Sequence, residues 1–278
     1  MFHCGSFRFD LSRPLVMGIV NVTPDSFSDG GRHLQRDAAL AHAQQLIADG
    51  ADLLDIGGES TRPGAHPVSI QKELDRVLPI IEALCGASAP IPPVPISIDT
   101  CKPEVMRAAI AAGAQMVNDI DALQDAVAMQ AVAASDVAVC LMHKQGKPQT
   151  MQEQPHYRNV VDEVSAFLSG RIAAAEAAGI GRDRIVIDPG FGFGKTLAHN
   201  LSLLRELDKL AELGVPVMAG LSRKSMLGAL TGQDVGDRLP ASVAAALIAV
   251  QHGAAIVRVH DVRATVDALK IWNAVNLW

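Results

Sequence analysis

Eight times along the 278 residues, a short run rich in Val and Ile gives way to a longer stretch with helical spacing. No other feature constrains the fold as much. The runs are LVMGIVNV (15–22), DLLDIG (52–57), VPISID (94–99), QMVNDI (115–120), VAVCLMH (137–143), RIVID (184–188), VPVMAG (215–220) and AIVRVH (255–260). Continuous apolar runs of this length describe strands buried on both faces, and hence a parallel sheet. Between them lies DAALAHAQQLIADGA (37–51), where Ala39, Ala43, Leu46 and Ile47 share one helical face. Comparable patterns occupy 70–84, 103–114, 160–179, 201–213 and 239–253. Gly50, Gly113 and Gly253 each stand where a helix should end in a left-handed residue. Eight strand–helix units in a chain of this length predict an α/β fold, a (β/α)8 TIM barrel of roughly 250 residues. A doubly wound open sheet satisfies the same count. FRFDL (7–11) alternates apolar and polar, which predicts a short strand capping the lower end of the barrel. With no linker or low-complexity stretch, residues 1–278 read as one domain.

Composition narrows the function classes. The chain is 49% hydrophobic and 19% charged, enough for a sizeable core. A net charge of −6 argues against general nucleic-acid or membrane-surface binding while leaving room for a local basic site. Cys4, Cys85, Cys101 and Cys140 lie far apart with no C-x-x-C pair, so neither a zinc site nor a disulfide framework is indicated. The first residues lack an apolar signal core, and no apolar run approaches 18 residues. A cytoplasmic protein is expected.

In a barrel the chemistry belongs at the C-terminal ends of the strands. Here those ends carry Asn21, Asp55, Asp99, Asn118-Asp119, Met142-His143, Asp188, then LSRKS (221–225) and RVHD (258–261). Any one of these has a plain structural explanation. An Asp after a strand is commonly a helix cap, as expected for Asp119 and Asp261. A single histidine such as His143 or His260 is commonly an interior one. The plain explanation does not cover Asp99, Asn118 and Asp188 on three strands of one rim. Carboxylates gathered over an apolar barrel are costly unless donors meet them. The amidine-like edge of a heterocycle would do so, offering N–H groups to Asp and Asn acceptors. Arg223 and Lys224 open a predicted short helix (about 224–230), close to Arg258 and His260, and barrels often bind phosphate there. Acceptors on one side and cations on the other suit a heterocycle carrying a phosphate ester. The glycine-rich loops TPDSFSDGGRHLQRD and ESTRPGAHPVS are candidate lids.

DPGFGFGKT (188–196) is a near miss for two nucleotide motifs. The P-loop pattern needs glycine where Pro189 stands, and the dinucleotide pattern needs glycine where Lys195 stands.

At these residues the sequence resembles the dihydropteroate synthases, the folate-pathway family inhibited by sulfonamide drugs. The resemblance is carried by MGIVNVTPDSFSDGG (17–31), DIGGESTRPGA (55–65), ISIDTCKPEV (96–105), NDI (118–120), LMH with TMQ (141–152), IDPGFGFGKT (187–196), GLSRKSMLG (220–228) and RVHDV (258–262). It implies a (β/α)8 barrel and a transferase. The enzyme would join 6-hydroxymethyl-7,8-dihydropterin pyrophosphate to p-aminobenzoate with Mg2+, releasing pyrophosphate. By the same resemblance Asp99, Asn118, Asp188 and Lys224 hold the pterin, in a slot shaped by Met142, Phe193 and Gly220. Asn21 holds Mg2+ and pyrophosphate, with Arg62, Arg258 and His260 on the anion. Thr61, Arg62 and Ser225 lie near p-aminobenzoate. Asp99, Lys224, Arg62, Arg258 and His260 form the catalytic set, and Lys195 is peripheral. A homodimer with small-molecule substrates is expected, without nucleic acid or membrane. Asp121 and Lys144 depart from the family pattern. A pterin-dependent methyltransferase shares the barrel but needs no pyrophosphate site, and a silent pterin-binding barrel would not need Asn21, Arg62, Lys224, Arg258 and His260 together.

Overall fold

The computed structural model describes residues 1–23, 32–60, 67–86, 93–146 and 150–276. Eight strands close into a parallel barrel: β3 (Leu15–Asn21), β4 (Leu53–Gly57), β5 (Ile96–Asp99), β6 (Met116–Asp119), β7 (Ala138–Met142), β8 (Ile185–Asp188), β9 (Val217–Ala219) and β10 (Ala254–Val259). The predicted runs all become strands, and β10 pairs with β3 to shut the ring, which excludes the open sheet. The predicted bottom strand is half of an antiparallel hairpin, β1 (Phe2–Cys4) with β2 (Phe7–Phe9).

Alternation along the strands divides the core in two. Leu54 and Ile56 of β4 point outward into the large layer between barrel and helices, whereas Leu53 points into the barrel. The lower barrel interior is filled by Met17, Leu53, Met116, Ala138, Cys140, Val186, Met218 and Ile256, and Phe2 of the hairpin closes it from below. Interior layers of side chains make such a barrel a packed core rather than a pore.

The helices are α1 (Arg32–Ala48), α2 (Ile70–Cys85), α3 (Pro103–Ala111), α4 (Ala126–Ala133), α5 (Val160–Ala177), α6 (Leu197–Arg205), α7 (Asp208–Ala211), α8 (Ser225–Thr231), α9 (Leu239–Gln251) and α10 (Val262–Asn276). Local chemistry sets their starts. Ser69 accepts from the Lys72 N–H ahead of α2, Pro103 occupies the first turn of α3, and Thr196 with His199 forms a reciprocal cap on α6. Gly50, Gly113 and Gly253 do take positive φ after their helices. The predicted 201–213 helix breaks into α6 and α7 because Glu206 leaves the helical region. Two helices had no sequence expectation. α4 is apolar except for Gln130, and its boundary signal is Asp125, which accepts from the N–H groups of Val127 and Ala128. In α10, Val262, Thr265 and Leu269 turn one face inward.

Candidate active site

The strands that fill the lower barrel with methionine and valine change character one layer higher. There Asp55, with no exposed surface, accepts at Oδ2 from Asn118 Nδ2 at 2.9 Å and from Arg258 Nε at 2.6 Å. Arg258 Nη2 donates to Asp99 Oδ2 at 2.8 Å. One guanidinium from the last strand thus lies between carboxylates of β4 and β5. Although burial works against its charge, Asp55 and Asp99 hold the Arg258 group well above its ordinary pKa. Burial outweighs Arg258 at Asp99 and pushes that carboxyl up to about 7.

Above this layer opens a cavity of about 700 Å³. Asp99, Asn118, Met142, Asp188, Phe193 and Gly220, named from the sequence for the pterin slot, all line it, as does Lys224. Asp99 Oδ1 and Asn118 Oδ1 are buried with no hydrogen-bond partner. Such atoms are unfavourable in an empty protein and are natural docking points for N–H donors. Asp188 Oδ1 accepts from the Gly190 N–H at 2.7 Å, and burial raises its pKa against the pull of that bond and of Lys224. A Cβ at Gly220 would sit 3.7 Å from Asp188 Oδ2, in the space beside the carboxylate. Lys224 Nζ stands over the Phe193 ring, 4.3 Å from its centroid.

Asn21, Ser225, Arg258 and His260 line the cavity too, adding an amide, a hydroxyl, a guanidinium and an imidazole. His260 is held through Ser222, whose hydroxyl accepts from the His260 N–H at 3.2 Å and lies 3.0 Å from Nδ1. Asn21 Oδ1 and Asp99 Oδ2 face one gap over Gly57, where a Cβ would lie 3.9 and 3.8 Å from them. Thr61 and Arg62 lie outside the described residues, as do most of both candidate lids.

Several readings are corrected by these contacts. Arg223, expected among the phosphate-site cations, lines the cavity but also forks onto Asp261 with Nε and Nη2, on a left-handed backbone with φ 57°. Asp261, directly ahead of α10, is the ion-pair partner of Arg223, and its carbonyl accepts the Thr265 N–H at 3.2 Å. Asp119 caps a turn, accepting from the N–H groups of Asp121 and Leu123. Lys195 is not peripheral: it is 3% exposed and its ammonium is interior. Asp121 and Lys144, the two departures, form an ion pair with each other. Asp55 and Ser222 were not assigned a role from sequence. The signal for Asp55 was a carboxylate inside an otherwise apolar strand, which needs a cation, and Arg258 is the one that reaches it.

A family profile described as pterin binding enzyme matches residues 17–260. The dihydropteroate synthase of Neisseria meningitidis serogroup C is 51% identical over 282 residues, covering 100% of this chain and 98% of that protein. A structure of dihydropteroate synthase from Xanthomonas albilineans in complex with 7,8-dihydropteroate superposes with a TM-score of 0.89 at 53% identity, covering 99% of this chain and 98% of the other. The Yersinia pestis dihydropteroate synthase, solved with a sulfonamide drug, gives 0.91 at 49% identity, with 98% of each chain covered. With its closed barrel, its pocket of buried acceptors and these relatives, the chain belongs to the pterin binding enzyme family, among the dihydropteroate synthases.

Proposed function

We propose that the cavity joins 6-hydroxymethyl-7,8-dihydropterin pyrophosphate to p-aminobenzoate, giving 7,8-dihydropteroate and pyrophosphate in folate biosynthesis. The observation that carries the assignment of residues is the pair of partnerless buried acceptors, Asp99 Oδ1 and Asn118 Oδ1. Together with Asp188 they suit a pterin edge, whose ring N–H and amino groups are donors. Lys224 supplies a cation at the same heterocycle, Phe193 and Met142 bound its faces, and Gly220 leaves room beside Asp188.

Two of the three guanidinium nitrogens of Arg258 are engaged by Asp55 and Asp99. Its Nη1 and the imidazole of His260 are what this side of the pocket offers to the departing pyrophosphate. Fixed donors aimed where charge develops are worth most in a dry site. Substitution occurs at the exocyclic methylene: the C–O bond to pyrophosphate breaks, and the aromatic amine supplies the electron pair of the new C–N bond. Asp99 stands beside the pterin as positive character develops there. The amine is already nucleophilic, so its proton can pass to water or phosphate without a dedicated base. Ser225, Thr61 and Arg62 are assigned to p-aminobenzoate, and Arg62 also to the anion.

Magnesium fits this donor set in one way. Among the described residues no cluster of three His, Cys, Asp or Glu could hold a metal alone. Asn21 presents a hard oxygen at the gap shared with Asp99, which suits an ion that keeps its waters and shares phosphate oxygens. When bound, it would supply charge neutralisation on the pyrophosphate. No helix among the described residues is long and apolar enough to cross a membrane, and we read the enzyme as cytoplasmic. A homodimer is supported by exposed Leu230, Ile248, Ile271 and Val275 on the successive helices α8, α9 and α10. The test is to mix the protein with both substrates and Mg2+ and follow both products. Equal formation of dihydropteroate and pyrophosphate, blocked by a sulfonamide, is expected; tight pterin binding without product would overturn the reading.

A further inference from the structure

We propose that Lys195 is a positioning residue for the pterin subsite, fixing the 188–196 loop against the end of β7 so that Asp188 and Phe193 meet the heterocycle. The proposal rests on the pterin reading above and concerns a side chain that does not line the cavity.

A lysine this deeply buried ordinarily pairs with a carboxylate. The hydrogen-bond partners of Lys195 are neutral instead: His143 Nδ1 at 3.0 Å, Gly190 O at 3.0 Å, Phe193 O at 3.0 Å and His143 O at 3.4 Å. These partners come from two loops, the one after β7 and the one after β8. Burial holds the lysine down to about 7, and it holds His143 down to about 3, so the imidazole is neutral and Nδ1 can accept. Where the two loops meet there is no room for a side chain. A Cβ on Gly190 would lie 1.9 Å from His143 O, and one on Gly194 would lie 2.4 Å from Gln145 O, both at positive φ. Backbone therefore packs on backbone, and the carbonyls of His143, Gly190 and Phe193 are gathered by one ammonium. Its role is that of a cation in a carbonyl cage, supplied by the chain itself.

Each pterin-facing group of the loop is one short step from this hub. Gly190 gives its N–H to Asp188 and its carbonyl to Lys195. Phe193, whose carbonyl Lys195 also binds, places its ring under Lys224. Gly190 O also accepts from the Phe193 N–H at 3.0 Å, and Tyr157 to Gly194 O and Asn200 to Gly192 N–H are further ties of the loop. Lys195 is the group that joins the Gly190 and Phe193 carbonyls to the end of β7. Ser225, assigned to p-aminobenzoate, opens α8 and lies outside this loop, so losing the hub should disturb one substrate and spare the other.

Lys195→Met and Lys195→Gln in the full chain separate these effects, read as KM for each substrate and as calorimetric affinity for dihydropterin pyrophosphate. Lys195→Met should raise the pterin KM about tenfold or more, since displacing a positioning group by an ångström has effects of that size. The KM for p-aminobenzoate should be unchanged. Lys195→Gln, which still offers an N–H to the carbonyls, should fall between, and it carries the test alone if the methionine variant does not fold. An unchanged pterin KM in the variants, or equal damage to both KM values and kcat, overturns the role of Lys195. A wild-type chain that fails to bind the pterin overturns the functional reading as well.

Discussion

The floor and the rim of the barrel are built by the same eight strands and obey opposite rules. Below, Met17, Leu53, Met116, Met218 and their neighbours fill the interior under Phe2. One layer up, Asp55, Asp99, Asn118 and Arg258 replace them, and Asp55 Oδ1, Asp99 Oδ1 and Asn118 Oδ1 have no partner. Burying polar atoms unsatisfied is destabilising, whereas filling the floor with apolar volume is stabilising. The rim is tolerated because the floor and the outer layer hold the barrel shut. Stability and binding are thus separated by height along the strands, with Arg258 as the residue that belongs to both.

The largest effect should come from breaking that exception. Arg258→Ala leaves Asp55 and Asp99 buried without their cation, and should cost about 3–5 kcal/mol in chemical denaturation and abolish turnover. Met116→Ala opens a cavity in the floor and should cost about 2–5 kcal/mol, yet leave the pterin affinity of the folded protein unchanged. A matching loss of affinity would show the two layers to be coupled. Asp99→Asn or Lys224→Ala should do the reverse, weakening pterin binding by about 1.5–3 kcal/mol in calorimetry with little change in Tm. A pH series sharpens the point. Because the folded Asp99 carboxyl titrates near 7 rather than in the ordinary carboxylate range, its contribution to unliganded stability is complete at acid pH and is lost as pH rises through about 7. The ionised form is the better acceptor, so pterin affinity should rise over the same window, and Asp99→Asn should flatten that rise. Lys195 titrates nearby with the opposite sign, losing stability as pH falls through about 7, so the difference between wild type and Asp99→Asn is the quantity to measure. Smallest of all, Lys144→Ala at the Asp121 ion pair should shift stability by only about 0–1 kcal/mol.

Much of this was legible in the chain, for identifiable reasons. Strands buried on both faces are continuous apolar runs, so each barrel strand declared itself, and their C-terminal ends located Asp99, Asn118 and Asp188. The helix α4 did not, because in AVAMQAVA a single Gln130 among seven apolar residues is too little to mark a polar face. Asp55 and Lys195 were visible as residues but not as roles. Their partners Arg258 and His143 stand 203 and 52 positions away, and only closure of the barrel brings them together. The pairing of Arg223 with Asp261 was hidden for the same reason, since Asp261 is 38 positions off.

Arg258 also bears on how the protein is made. It sits on β10, pairs with the second and third barrel strands, and arrives beside the first as β10 zips onto β3. Domains emerge from the ribosome N-terminus first. A nascent chain that has exposed seven barrel strands therefore holds Asp55 and Asp99 without the guanidinium that β10 brings. The pterin pocket cannot be assembled piecemeal during synthesis; it comes into being with the last strand, as the barrel closes.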